Sequence, residues 1–165
     1  MKLRLEALQD KAGWEAVGVK LPQFDVQGMR KHTVETPVWV HFGAGNIFRG
    51  FVAMLQQELL NKGEATCGII AGDTFDYDII KKIYKPHDEL TMMVGLKPDG
   101  TTEREIVASI ADSVCADSSD AAEMEKLRKI FVNPSLQMVS FTITEKGYAL
   151  RNIQGELMPV VVEDM

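Results

Sequence analysis

Two glycines and an arginine in the first third of the chain have the types and spacing that hold a phosphate. Gly43 and Gly45 stand between the apolar run at residues 38–42 and a helical pattern that begins at Asn46. Such glycines let the backbone approach a ligand, and a helix starting beside them points free N–H groups at an anion. Arg49, in the first helical turn, is unfavourable on dipole grounds. Either an anionic ligand or a neighbouring carboxylate would account for it.

An acidic side chain follows the second apolar run. Residues 67–71 predict a buried strand, and Gly72 and Asp73 come directly after it. In dinucleotide-binding folds, an acid at this point accepts hydrogen bonds from the adenosine ribose, and an acid also disfavours the 2′-phosphate of NADP. Asp73 therefore predicts a ribose contact and NAD. The alternative is that Asp73 caps the next helix, and Asp76 and Asp78 are nearby alternatives for the ribose contact.

A third group of polar residues follows a strand pattern near the carboxyl end of the chain. Residues 136–143 predict a central strand, and Thr144, Glu145 and Tyr148 come after it. Ligands of open α/β sheets bind beyond the carboxyl ends of the strands. These residues are therefore expected to meet a nicotinamide or a substrate, the alternative being an ordinary polar loop.

The remaining pattern indicates the elements that position these residues. Ile47, Phe51 and Met54 have helical spacing, and Gly63 provides a stop signal for a helix over 46–62. Residues 90–96 and 101–110 flank a Pro-Asp-Gly turn and predict a β-hairpin. Helices are expected over 77–84 and 116–131. The predicted fold class is α/β: a Rossmann-like, doubly wound, mainly parallel sheet with an inserted β-hairpin.

Composition excludes several classes of function. The chain has 165 residues and a net charge of −6, which argues against a nucleic-acid surface. No apolar run reaches the roughly 18–20 residues that a membrane span needs, and no signal peptide is present. The two cysteines form no C-x-x-C pair, so a cytoplasmic protein is expected. His32, His41 and His87 are scattered, which predicts no metal site, and His41 is expected to be a packed core residue.

Two separated motifs together resemble one enzyme family. Residues 43–51, Gly-Ala-Gly-Asn-Ile-Phe-Arg-Gly-Phe, and residues 139–148, Val-Ser-Phe-Thr-Ile-Thr-Glu-Lys-Gly-Tyr, are similar to signatures of the polyol-specific long-chain dehydrogenases. This family includes mannitol dehydrogenases and hexuronate reductases. Lys146 departs from the glycine that many members have. The hairpin favours the branch that contains fructuronate reductase and mannitol 2-dehydrogenase.

The resemblance implies a site and a division of the chain. Residues 1–37 would be a lead-in that packs on the domain, and residues 38–165 a partial NAD-binding Rossmann domain, without the family's helical C-terminal domain. That absent domain carries the catalytic lysine, so the chain alone is expected to be inactive, with Glu145 a candidate proton relay. No metal is implied. The implied cofactor-binding residues are Gly43, Ala44, Gly45, Asn46, Ile47, Phe48, Arg49, Asp73, Thr144 and Glu145.

The resemblance also implies hydride transfer between NAD, rather than NADP, and an open-chain sugar acid or polyol. Fructuronate and mannonate are favoured, followed by mannitol and fructose. No nucleic-acid or membrane partner is expected, and the full-length enzyme would be a monomer or dimer. One alternative is a non-catalytic dinucleotide-binding module. Another is an S-adenosylmethionine-dependent methyltransferase, which also uses a glycine turn and an acid after the second strand.

Overall fold

The structure, a computed structural model, describes residues 2–143, 148–163 and 165. Its strands are β1 (Val19–Lys20), β2 (Trp39–Phe42), β3 (Ile69–Asp73), β4 (Thr91–Leu96), β5 (Thr102–Val107), β6 (Ile110–Cys115) and β7 (Met138–Phe141). Its α-helices are α1 (Lys11–Ala16), α2 (Val26–Glu35), α3 (Ala53–Lys62), α4 (Ala121–Phe131) and α5 (Pro159–Glu163). A π-helical segment, Phe48–Val52, runs directly into α3, and a second one spans Ile79–Tyr84.

Four parallel strands form the main sheet in the order β6-β3-β2-β7. Numbered by their succession within this sheet, the strands lie in the order 3-2-1-4, which is the order of a doubly wound nucleotide fold. The predicted fold class is thereby confirmed. Two details differ from expectation. No strand was predicted at β6, and β7 is an edge strand among the described residues rather than a central one.

Apolar side chains fill both faces of this sheet. On one face, Phe48, Ile69 and Ile110 belong to a cluster that also takes in Ile80 and Tyr84 of the second π-helical segment. On the other face, Val40, Phe42, Ile70 and Val114 pack with Ile130 of α4. The central strands β2 and β3 are therefore covered on both sides, which explains why they read as continuous apolar runs.

The predicted hairpin is confirmed as β4 and β5, which pair antiparallel from Thr91 opposite Val107 to Leu96 opposite Thr102. β1 adds to it in parallel, with Val19 opposite Arg104. Leu8, Trp14 and Val26 of the first 26 residues pack with Leu90 and Ile106 in a second core. The amino-terminal residues thus cover the hairpin. Helix α2, in addition, contacts the main sheet.

The helix predicted over 46–62 is present, but the apolar side chains with helical spacing do not form its buried face. Ile47 and Phe51 are 65% and 62% exposed. The buried positions of α3 include Gln56 and Gln57, whose amides bond the backbone of Cys67, Ile106 and Ala108. Buried amides are stable because these hydrogen bonds replace water.

None of the helices in the described part of the chain is long and apolar enough to cross a bilayer.

Candidate functional site

The glycine turn lies where β2 and β7 end side by side. The Gly43 N–H donates to the Gly72 carbonyl at 3.0 Å, and the Thr142 N–H donates to the Phe42 carbonyl at 2.9 Å. Gly43 has φ +101°, and a Cβ there would lie 2.8 Å from the Thr142 carbonyl oxygen. Any side chain at this position would therefore be strained and would push β7 away. Gly45 has nothing within 4 Å of an added Cβ, so its approach is open.

Two buried side chains hold the peptide groups of Ala44. The Ala44 N–H donates to Asp73 Oδ2 at 3.1 Å. The Tyr84 hydroxyl donates to the Ala44 carbonyl at 2.8 Å. Burial raises the pKa of Tyr84, so its hydroxyl keeps its proton and remains a donor. The turn is thus fixed from both sides before any ligand arrives. Tyr84 was missed in the sequence because its partner lies 40 residues away.

Asp73 ends β3 and links the glycine turn to the loop that follows β3. Its Oδ1 accepts hydrogen bonds from the N–H groups of Phe75 and Asp76 at 2.9 and 2.8 Å. These bonds order the loop after β3 rather than cap the next helix, because helical residues begin only at Tyr77. A carboxylate offers about four acceptor positions. Three are occupied by backbone N–H groups, which leaves about one for a ligand hydroxyl.

Arg49 lies in the first turn after the glycines, and no described residue forms a salt bridge with it. Its guanidinium contacts Asn46 Oδ1 and lies 5.8 Å from the centroid of the Tyr84 ring. Among the described residues, no acceptor bonds its buried Nε. A buried unpaired donor is costly, commonly about 1–3 kcal/mol. Of the two explanations raised by the sequence, a neighbouring acid is not seen among these residues.

His41 joins β2, β7 and the first helical turn. It is 3% exposed, as expected for a packed core residue. Its Nδ1 lies 2.8 Å from Ser140 Oγ and its Nε2 2.7 Å from Thr142 Oγ1. Its ring stacks on Phe48 with centroids 4.2 Å apart and an interplanar angle of 7°. Burial lowers the pKa of His41, which favours the neutral ring.

The structure thus gathers most of the predicted site at one end of the sheet: Gly43, Ala44, Gly45, Asn46, Ile47, Phe48, Arg49 and Asp73. Asn46 is the first helical residue, as expected, and its side chain accepts a hydrogen bond from Arg49. Thr144 and Glu145 lie outside the described residues, and Tyr148 is exposed. Within the described part of the chain, no three His, Cys, Asp or Glu side chains form a candidate metal cluster.

Known proteins resemble the chain over most of its length, although no family model matches it. The D-mannonate oxidoreductase of Thermotoga maritima is 48% identical over all 165 residues, which is 30% of that protein. The polyol:NADP oxidoreductase of Gluconobacter oxydans is 29% identical over 83% of the chain and 27% of its own length.

A solved structure shows the same architecture. The mannitol 2-dehydrogenase of Pseudomonas fluorescens, in a ternary complex with NAD and D-mannitol, superposes with a TM-score of 0.75 at 27% identity. The match covers 99% of the chain and 32% of that protein. The chain therefore spans about 30% of the length of the relatives it matches. These relationships confirm the resemblance stated from the motifs: the chain is related over its whole length to the amino-terminal part of the mannitol dehydrogenase group of oxidoreductases.

Proposed function

We propose that the chain binds NAD and supplies the nucleotide-binding part of an oxidoreductase that acts on an open-chain sugar acid or polyol. Fructuronate and mannonate are the favoured substrate pair, and mannitol and fructose are the next. The proposal includes residues 1–37 as a lead-in, residues 38–165 as part of the NAD-binding domain, a cytoplasmic location and a monomeric or dimeric full-length enzyme. The catalytic lysine would come from outside this chain.

The observation that carries the proposal is the Arg49 guanidinium beside an open glycine turn, which bonds Asn46 but has no carboxylate partner among the described residues. The Arg49 Nε is buried and has no acceptor among the described residues. The turn beside it is held by Asp73 and Tyr84, and a helix begins directly after it. Backbone N–H groups, a helix N-terminus and a guanidinium are together suited to a pyrophosphate. The residues present therefore fit a dinucleotide.

Each residue of the site has a separate task in this proposal. The glycine turn and Arg49 bind the pyrophosphate, and the free acceptor position of Asp73 takes a ribose hydroxyl. Its negative charge also opposes a 2′-phosphate, which favours NAD over NADP. Bound NAD supplies the chemistry by exchanging a hydride at its nicotinamide ring. If Thr144 and Glu145 reach that ring, they orient it, and Glu145 would exchange protons with solvent.

Calorimetric titration of the 165-residue chain with NAD, NADP and S-adenosylmethionine tests the proposal. We expect binding of NAD, weaker binding of NADP and none of S-adenosylmethionine. Arg49→Met should weaken NAD roughly tenfold or more, because it removes charge-assisted hydrogen bonds. Arg128→Met is the matched control, since Arg128 is exposed and paired with Glu125. Absence of NAD and NADP binding at millimolar concentration would overturn the proposal.

The contribution of Asp73 needs its own control, because this carboxylate also holds the turn. Asp73→Ala should weaken NAD more than NADP. Tyr84→Phe removes the hydrogen bond to the Ala44 carbonyl without touching the ribose site. It should therefore weaken both dinucleotides by the same factor. If Asp73→Ala also affects both equally, Asp73 acts on the turn alone and the ribose contact is wrong.

A further inference from the structure

A chain of hydrogen bonds crosses from β2 to β7 directly beneath the glycine turn. The Trp39 Nε1–H donates to Ser140 Oγ at 2.7 Å. The same oxygen lies 2.8 Å from His41 Nδ1, and His41 Nε2 lies 2.7 Å from Thr142 Oγ1. Trp39 and His41 lie on β2, Ser140 on β7 and Thr142 directly after it. Both ring nitrogens of one buried imidazole are thus engaged by hydroxyls next to the candidate site.

The donor and the acceptor in each of these hydrogen bonds follow from which groups carry a proton to donate. The indole N–H is a donor only, so Ser140 Oγ accepts from Trp39. Within the part of the chain that the structure describes, the acceptor within reach of the Ser140 proton is His41 Nδ1. His41 must then carry its proton on Nε2 and donate it to Thr142 Oγ1. The opposite tautomer would leave the Ser140 proton without an acceptor in a buried place, which is costly.

The direction of the His41–Thr142 hydrogen bond determines whether the Thr142 hydroxyl can donate to a ligand. Because its oxygen accepts from His41, its own hydroxyl proton cannot point at the imidazole. That proton is left to donate to another acceptor. Thr142 is half-buried and directly follows β7, with its carbonyl against Gly43. A ligand that crosses the carboxyl ends of β2 and β7 would therefore pass close to it.

We infer that the chain from Trp39 through Ser140 and His41 fixes Thr142 as a hydrogen-bond donor to the carboxamide oxygen of the nicotinamide. This inference rests on the proposed binding of NAD. The glycine turn, on the β2 side, takes the pyrophosphate, and Asp73, at the end of β3, takes the adenosine ribose. β7 lies on the opposite side of β2 from β3. The nicotinamide half of the dinucleotide is therefore left to the β7 side, and the carboxamide oxygen is an uncharged acceptor at the far end of that half.

In this inference His41 is a positioning residue and Thr142 a binding residue. The Phe48 ring stacked on His41 keeps the imidazole in the plane that both hydroxyls need. Phe48 belongs to the helical segment that follows the glycine turn. The position of Thr142 is thereby linked to the turn that holds the pyrophosphate, so that the two halves of the dinucleotide are bound in register.

The first measurement is the tautomer of His41, by nitrogen-15 NMR of the chain labelled at its three histidines. We expect one histidine, absent from the spectrum of His41→Gln, with the chemical shifts of a neutral ring protonated on Nε2. Ser140→Ala should abolish that strict preference, because Nδ1 then loses its donor. A ring protonated on Nδ1, or a doubly protonated ring at pH 7, would overturn the inference whether or not the chain binds NAD.

The second measurement compares NAD with ADP-ribose, which has the pyrophosphate and both riboses but no nicotinamide. Thr142→Val keeps the shape of the side chain and removes the hydroxyl, so it should weaken NAD about fivefold to tenfold and leave ADP-ribose unchanged. Thr142→Ser should restore NAD binding. Thr102→Val, on the exposed hairpin, is the matched control and should change neither affinity.

The outcomes separate this inference from the proposed function. If Thr142→Val weakens NAD and ADP-ribose by the same factor, Thr142 acts by packing against the turn and the inference is overturned. If it weakens neither while the wild-type chain binds NAD, the inference is again wrong and the proposed function stands. If the wild-type chain binds neither ligand, the proposed function fails, and the ligand contact of Thr142 fails with it.

Discussion

The two edges of the four-stranded sheet are built differently. β6, at one edge, is buried along nearly its whole length, and one of its residues, Asp112, forms ion pairs. Asp112 lies 3.0 Å from Lys85 Nζ and 2.6 Å from Lys126 Nζ. Lys85 also bonds Glu89 at 2.9 Å. β7, at the other edge, has exposed apolar side chains, and Phe141 is 59% exposed.

The attachment of the two edges differs in kind as well as in burial. The β6 edge is held by charges, because Glu89 is buried between Lys85 and Arg30 and accepts from Ser113. The β7 edge is tied to β2 by backbone pairing and by the neutral hydroxyl–imidazole contacts of His41. The β6 edge of the sheet is therefore supported by charged groups, whereas the β7 edge depends on uncharged hydrogen bonds.

The largest effect should come from removing one charge of the β6 network. Glu89→Gln removes the buried negative charge between Arg30 and Lys85, and breaking a buried pair costs about 3–5 kcal/mol. The measurement is the free energy of unfolding by urea titration. Glu125→Gln, which breaks an exposed Glu–Arg pair, should leave the unfolding midpoint unchanged. Equal effects of the two variants would mean that the β6 network is not a rigid support.

The pH dependence of stability should distinguish the two edges. Burial alone would raise the pKa of Asp112, but Lys126 and Lys85 lower it below its ordinary value. Burial lowers the pKa of His41. In both cases the unfolded chain takes up the proton first as the pH falls. The contribution of His41 is therefore lost below about pH 6.5 and that of Asp112 below about pH 4.

Single substitutions test which of the two groups causes the loss of stability in each pH range. His41→Gln should flatten the stability curve as the pH falls below about 6.5, and Asp112→Asn only below about pH 4. Each substitution should lower the slope of the free energy of unfolding against pH by at most about 1.4 kcal/mol per pH unit, the value for one proton. Urea titrations at a series of pH values measure both. If Asp112→Asn changes the curve near pH 6, or His41→Gln leaves it unchanged there, the assignment of the two groups is wrong.

Sequence patterns were sufficient to predict the elements whose buried positions are occupied by apolar residues. β2, β3, the hairpin and the placement of Asp73 at the end of β3 were all predicted. β6 was missed because polar Asp112 and Ser113 interrupt it, and their partners Lys126 and Glu89 lie on other elements. The buried face of α3 was missed for a similar reason, since Gln57 is satisfied by residues about 50 positions away.

The candidate site divides in the same way. The glycine turn and Arg49 are contiguous, so local sequence reports them. His41 and its hydroxyl partners are separated by about 100 residues, and their meeting depends on the register of β2 against β7. Tyr84 is likewise joined to Ala44 only by the packing of its helical segment on the sheet. Contacts made through tertiary structure leave no periodic signal in one sequence.

The smallest effect concerns the apolar surface of β7. Phe141 stacks on Phe42 with centroids 5.5 Å apart, but much of its ring faces solvent. Phe141→Ala should therefore cost about 1 kcal/mol, in the range of an aromatic pair rather than that of a core residue. Phe75→Ala is the matched control, because Phe75 is 92% exposed and should have no measurable effect in the same urea titrations. A cost near 3 kcal/mol for Phe141→Ala would show that β7 is anchored as firmly as β6, and the contrast between the two edges would then lie only in their charges.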